Sequence, residues 1–214
     1  MTNKEYYKLG GTHHLTPWFV FAPISLLMTV LAVRLGPLSL VGAASLFIGG
    51  FFFWTFAEYA LHRFPFHTPT EKEPLKFFTS GFHLMHHEYP NAPGHVVAPV
   101  LMSIPMFAVL LSLFWGGAVL LGGGWAHAFV WGAGFATCYL IYEEIHYSAH
   151  HRAATTRLGK FWKKYHLIHH FKDSDHYFGV TSPFWDWIFG TKPALDLKKD
   201  TRILPITSRS KVAA

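Results

Sequence analysis

Residues 125–151 read WAHAFVWGAGFATCYLIYEEIHYSAHH. The run from Trp125 to Ile145 carries its acids, Glu143 and Glu144, only at its end, and it leads directly into His146, His150 and His151. A hydrocarbon core of about 30 Å needs about 20 predominantly apolar residues in a helix. The stretch therefore reads as a membrane span whose exit delivers imidazoles. Working outward, three more stretches of this kind occur at residues 18–35, 38–61 and 100–121. Gly36-Pro37 joins the first two, and Gly122-Gly123-Gly124 joins the third to 125–145, so each pair reads as a hairpin. The expected fold is an all-α integral membrane protein. It has four transmembrane helices in two hairpins and forms a single domain over 1–214, with a His-rich helical cap at 62–98 and 146–214.

Composition agrees. Of 214 residues, 51% are hydrophobic and 14% charged, so part of the solvent must be lipid. Positive charge in loops near membrane spans collects on the cytoplasmic side. Lys4, Lys8, Arg63, Lys72, Lys76 and the basic residues from Arg152 to Lys211 all fall on one predicted face, and Arg34 alone falls on the other. Both termini and the cap are expected in the cytoplasm, on a bacterial inner membrane or the endoplasmic reticulum. The net charge of +6 is then explained by attraction to anionic lipid, and no stacking motif calls for a nucleic acid. Cys138 is the only cysteine and lies within a span, which excludes an intrachain disulfide or a thiolate cluster. The first apolar stretch is too long for a cleavable signal and is followed at once by a second.

Sixteen histidines is a large number for this length, and most stand in four groups. These are His62 with His67, then His83-Leu84-Met85-His86-His87, then His146 with His150 and His151, and finally His166-Leu167-Ile168-His169-His170. On a helix, residues three and four apart share a face. His83 thus stands beside His86 and His87, and His166 beside His169 and His170. Adjacent histidines diverge by about 100° around a helix, which suits two neighbouring metals better than one. His62 and His67 flank Pro65, so that pair is expected to straddle a helix end. Imidazole suits zinc, iron, copper or nickel. His13 and His14 read as interfacial and His127 as a packed residue of the last span, while spacing assigns neither His95 nor His176.

A metal-bound imidazole usually donates its second N–H to a carboxylate or carbonyl. Glu58, Glu143 and Asp173 are placed in sequence to accept such a bond, with Asp175 a weaker case. Glu143-x-x-His146 also matches half of the carboxylate-rich signature of soluble di-iron bundles, but no second copy exists, so that reading fails.

These groups, in this order, together with the run from Phe178 to Thr191, resemble the fatty acid hydroxylase and sterol desaturase superfamily, most closely its fatty acid 2-hydroxylase branch. The likeness extends from Glu58 to Thr191. It implies a di-metal site beneath a four-helix membrane anchor, with His62, His67, His83, His86, His87, His146, His150, His166, His169 and His170 as ligands and His151 as an unassigned neighbour. It further implies two metal ions, iron for activity and zinc as a substitute, with dioxygen and a fatty acyl lipid as reactants. Eukaryotic members often carry a haem domain ahead of the membrane region, whereas this sequence enters its first span almost directly, so a separate electron-donor protein is expected. The segment around Trp185 and Trp187 is expected to cap the site or rest at the interface. Sterol or carotenoid oxidation and desaturation are alternatives within the superfamily. A membrane metal carrier or zinc sensor is the alternative outside it, and it is disfavoured because the clusters sit at one face rather than within the spans.

Overall fold

The computed structural model describes residues 11–192 except 69, 73–75, 77–81 and 93. Lys4, Lys8 and the basic tail from Lys198 to Lys211, on which part of the charge argument rests, lie outside the described residues, as do both chain ends. Every regular element among the described residues is helical. The long helices are α1 (Thr16–Leu35), α2 (Leu40–Leu61), α4 (Val100–Leu120), α5 (Trp125–His151) and α6 (Arg157–Phe171). Two short ones, α3 (Met85–Glu88) and α7 (Phe184–Ile188), lie between and after them.

Local chemistry sets the boundaries. Pro17 occupies the first turn of α1, where a missing N–H costs nothing. Ser39 and Thr156 cap α2 and α6 by accepting from the N–H groups of Gly42 and Gly159, at 3.1 and 3.0 Å. Pro65 cannot continue an α-helix, and α2 passes into a π-helical turn, His62–Phe66, that accommodates it. This wider turn brings the His62 and His67 rings to 5.0 Å.

All four predicted apolar stretches are helices, but they are not equivalent. Thr16–Leu35, Leu40–Phe66 and Val100–Leu120 are long and apolar enough to cross a membrane, and no more than 28% of the apolar window of any of them is buried within the protein. By contrast, α5 is the central element. It packs against α1, α2, α4 and α6, and it runs on to His151 rather than stopping at 145. Although the turn at 36–39 joins α1 and α2, each makes its main contacts with α5 rather than with the other, so the first predicted hairpin is splayed around α5.

Small residues make this packing possible. A Cβ on Gly50 would strike the Trp131 carbonyl oxygen, and one on Gly134 would strike the Phe47 carbonyl oxygen, so α2 and α5 meet backbone to backbone. Ala32, Ala43 and Ala126 continue the close approach, and Trp54, Phe135 and Tyr139 fill the space below it. Ser25 of α1 donates to the Ala133 carbonyl at 3.0 Å, tying α1 to the same helix. At its far end α5 presents His146 and His150 to α6.

Candidate metal centre

Ten imidazoles gather in two groups of five. One holds His62, His67, His83, His87 and His169, and the other His86, His146, His150, His166 and His170. Within each group the ligand atoms all lie within 4.8 Å of one another. In the first group the Nε2 atoms of His67, His83, His87 and His169 form a closed ring. Its sides are 3.0 Å (His67–His83), 3.1 Å (His83–His87), 3.2 Å (His87–His169) and 3.1 Å (His169–His67). In the second, Nε2 of His86 is 3.0 Å from that of His146, and Nε2 of His150 is 2.8 Å from that of His166.

The pairs four residues apart, His83 with His87 and His166 with His170, stay together, whereas those three apart, His83 with His86 and His166 with His169, are divided between the groups. The adjacent pairs His86-His87 and His169-His170 are likewise divided, as a 100° step around a helix requires. The groups adjoin where the rings of His87 and His170 stack with centroids 4.0 Å apart.

These nitrogens suit metal ions. Burial lowers His67 to about 4, His169 to about 3 and His87 to about 2, and it holds His166 and His170 well below the ordinary range. The imidazoles are therefore neutral at physiological pH, the form that coordinates. Nitrogens that each lie about 2.1 Å from one metal ion stand no more than about 4.2 Å apart, and the Nε2 spacings above fall within that limit. The tautomer is fixed at two positions. Nδ1–H of His62 donates to the Phe178 carbonyl at 2.5 Å and Nδ1–H of His169 to the His176 carbonyl at 2.7 Å, which leaves both Nε2 lone pairs free to coordinate.

The carboxylates sit differently from the expectation. Neither Glu58 nor Glu143 accepts an imidazole N–H among the described residues, because each is taken up by backbone that the chain brings in from far away. Glu58 accepts from the N–H groups of Val180, at 2.5 Å, and Thr181, at 2.9 Å, and from the Thr181 hydroxyl. Glu143 accepts from Ala98 N–H at 3.2 Å, pinning the chain ahead of α4 to α5. Asp173 accepts from the His176 ring at 2.8 Å, one residue removed from the ligands, and Asp175 is exposed.

The remaining histidines stand outside both groups. His151 lies against Tyr147, His14 stacks on the same ring at 4.3 Å, and His13 accepts from Leu15 N–H. His127 accepts from Gly124 N–H at 3.2 Å, closing the first turn of α5. His95 and the His176 ring join neither group. Of the two tryptophans of α7, Trp185 donates to the Thr55 hydroxyl of α2, while Trp187 is 70% exposed.

Asp186 escaped the sequence reading. It is fully buried, and its carboxylate accepts from Phe178 N–H (2.9 Å), Gly179 N–H (2.7 Å), the Tyr165 hydroxyl (3.0 Å) and the Thr191 hydroxyl (2.8 Å). Thr191 in turn accepts from Tyr59 at 3.0 Å, and Tyr59 from Arg63 at 2.8 Å. The available signal was an acid enclosed by Trp185 and Trp187 in an otherwise apolar run, since such a residue must find donors or remain exposed.

The fatty acid hydroxylase family profile matches residues 47–191. A dihydroceramide fatty acyl 2-hydroxylase of Arabidopsis thaliana is 34% identical over 84% of this chain and 75% of its own length. The ceramide very long chain fatty acid hydroxylase of Saccharomyces cerevisiae is 36% identical over 82% of this chain, which spans only 46% of that protein. A solved structure described as full-length scs7p, with only the hydroxylase domain visible, superposes with a TM-score of 0.70 at 30% identity, covering 85% of this chain and 67% of that one. With the match running from within α2 past α7 and taking in every histidine of both groups, the chain belongs to the fatty acid hydroxylase family.

Proposed function

We propose that this protein is a membrane-embedded oxygenase that hydroxylates a fatty acyl chain at its 2-position, using two metal ions held by the ten clustered imidazoles. The observation that carries the substrate assignment is an apolar cavity of about 670 Å³ between α2, α4 and α5 whose lining includes His62. Phe53, Trp54, Met102, Met106 and Leu110 line it, which suits an acyl chain. The relatives' names supply the acyl class and the 2-position.

The net reaction takes R–H, dioxygen, two electrons and two protons to R–OH and water. Bound by the imidazoles, the metals would supply reductive activation of dioxygen and oxidation of the C–H bond. Iron is the working metal, because zinc does not change oxidation state. The protein's own contribution is orientation and exclusion of water. The cavity wall aligns the chain toward His62, and the aromatic lining keeps the reacting carbon dry.

The three apolar helices enclose α5, and the four together form the membrane anchor in which each turn, at 36–39 and 121–124, lies on the face opposite the imidazoles. The imidazole face is cytoplasmic, in keeping with Arg63, Lys72, Lys76 and the basic residues of α6, and electrons reach it from a separate donor protein. Lipid mass spectrometry of cells with and without the protein tests this reading. The expected result is a lipid species heavier by one oxygen, placed at the 2-position of the acyl chain. An unchanged lipid profile, or a product that has lost two hydrogens instead, would overturn it.

A further inference from the structure

The stretch between α6 and α7 touches the first imidazole group through its backbone and through the Phe178 ring, which lies 5.6 Å from the ring of His62 and 5.5 Å from those of His67 and His169. Its carbonyls at His176 and Phe178 accept from His169 and His62, on either side of Tyr177, which is buried and held at a φ of 62°. A bulky residue rarely adopts this left-handed conformation and keeps it only where its surroundings impose it. The surroundings here are two buried carboxylates. Asp186 takes the N–H groups of Phe178 and Gly179, and Glu58 takes those of Val180 and Thr181. Four consecutive amides are thus anchored on one side of the stretch while two carbonyls face the imidazoles on the other. Tyr177 N–H adds a further tie, donating to the Thr191 carbonyl at 2.9 Å. Gly179 is required at its position, because a Cβ there would strike the Ser182 carbonyl oxygen and crowd Asp186.

We infer that residues 176–181 form a backbone brace for one of the two metal positions, and that Asp186 and Glu58 are its positioning residues. They act through the carbonyls of His176 and Phe178 on His169 and His62 rather than as metal ligands, although Glu58 also lines the apolar cavity. At four of its five rings the second imidazole group has no such connection among the described residues. The Nδ1 atoms of His86, His146, His166 and His170 find no hydrogen-bond partner among the described residues. The brace is therefore selective, and loosening it should weaken one metal position and spare the other. This inference rests on the di-metal reading above.

The test uses full-length wild type, Asp186→Asn, Glu58→Ala and Glu58→Gln. Each is purified in detergent, loaded with iron(II) and dialysed against increasing EDTA, and bound iron is counted per folded chain. Wild type should hold two ions. Asp186→Asn and Glu58→Ala should release one of them at EDTA concentrations roughly 10–100-fold lower, the usual scale for losing a group that orients a ligand, and the other at the wild-type concentration. Glu58→Gln keeps an amide oxygen able to accept from both backbone N–H groups, and should behave nearly as wild type. Should Asp186→Asn fail to fold, the two Glu58 variants decide the matter. Release of both ions in step, unchanged release, or equal behaviour of Glu58→Gln and Glu58→Ala would overturn the brace while leaving the di-metal reading intact. A wild type that binds fewer than two ions would overturn that reading and the brace with it.

Discussion

The two imidazole groups are built from different kinds of backbone. The second takes His146 and His150 from α5 and His166 and His170 from α6, so four of its five rings project from two long helices packed against each other. In the first, only His169 lies on a long regular α-helix. His62 opens the π-helical turn that ends Leu40–Phe66 and His67 follows that turn, while His83 and His87 come from the short helical stretch around α3. A regular helix fixes the direction of its side chains by geometry, whereas a ring on irregular backbone has to be oriented by something outside its own element. The structure supplies that orientation where it is needed, in the carbonyls of Phe178 and His176, and the helix-borne group does without it. Access to the apolar cavity is also unequal: among the ten rings, only His62 lines it.

The largest effect should come from removing a ring from either group. His86→Ala and His169→Ala are each expected to reduce hydroxylated product more than ~100-fold and to lower bound metal, since an outer-shell loss alone reaches that scale. Product and metal are to be compared at equal amounts of folded protein, because a missing ligand also reduces folding. If His86→Ala kept both metal and product at normal abundance, the second group would not be part of a di-metal centre.

A break in α5 should separate the groups in the opposite sense to a break in the brace. Ser148 lies between His146 and His150 within the last turns of α5. Proline in its place removes a backbone hydrogen bond and clashes with the preceding turn, at a cost of ~3 kcal/mol or more in a helix interior. Ser148→Pro is expected to lose the second group's metal first, leaving one ion per folded chain and no turnover. Loss of both ions together would show that the two groups depend on a common scaffold.

The unequal exposure to the cavity gives a smaller and more selective effect. Met106→Trp adds bulk to a wall of the cavity without touching an imidazole. Turnover of the longest acyl chains should fall about tenfold, on the scale of one or two methylenes lost from an apolar pocket, while metal content stays at two per chain. A chain-length profile identical to wild type would remove this cavity as the acyl site.

How much of this could be read in advance follows the same division. The apolar runs announced four of the five long helices, a property of a helix alone, whereas the spacing set His83 beside both His86 and His87, and His166 beside both His169 and His170, and only the pairs four apart share a group. The central place of α5 was harder to read. Gly132, Ala133, Gly134 and Ala136 mark a helix that can be approached closely, but which helix approaches it depends on Gly50 and Phe47 in another part of the chain. The brace was not legible at all. Its acceptors are carbonyls, which every residue possesses, and the partners of Glu58 lie more than a hundred residues away.

The finest test concerns His176, whose position beside the first group invites confusion with a ligand. Its ring donates to Asp173 and lies outside both groups, while its backbone carbonyl holds His169. Alanine retains that carbonyl and removes only the ring. His176→Ala should therefore keep both metals and most product, losing no more than the ~1 kcal/mol expected of a partly exposed hydrogen bond, or about fivefold in whichever equilibrium the Asp173 contact supports. Proline at the same position would instead restrain the backbone that bears the carbonyl, and should cost more metal affinity than alanine does. Metal counts and product yields from the two variants decide between ring and backbone. If His176→Ala lost a metal ion as completely as His169→Ala, the ring itself would be a ligand, and the first group would be held by six imidazoles rather than by five and a brace.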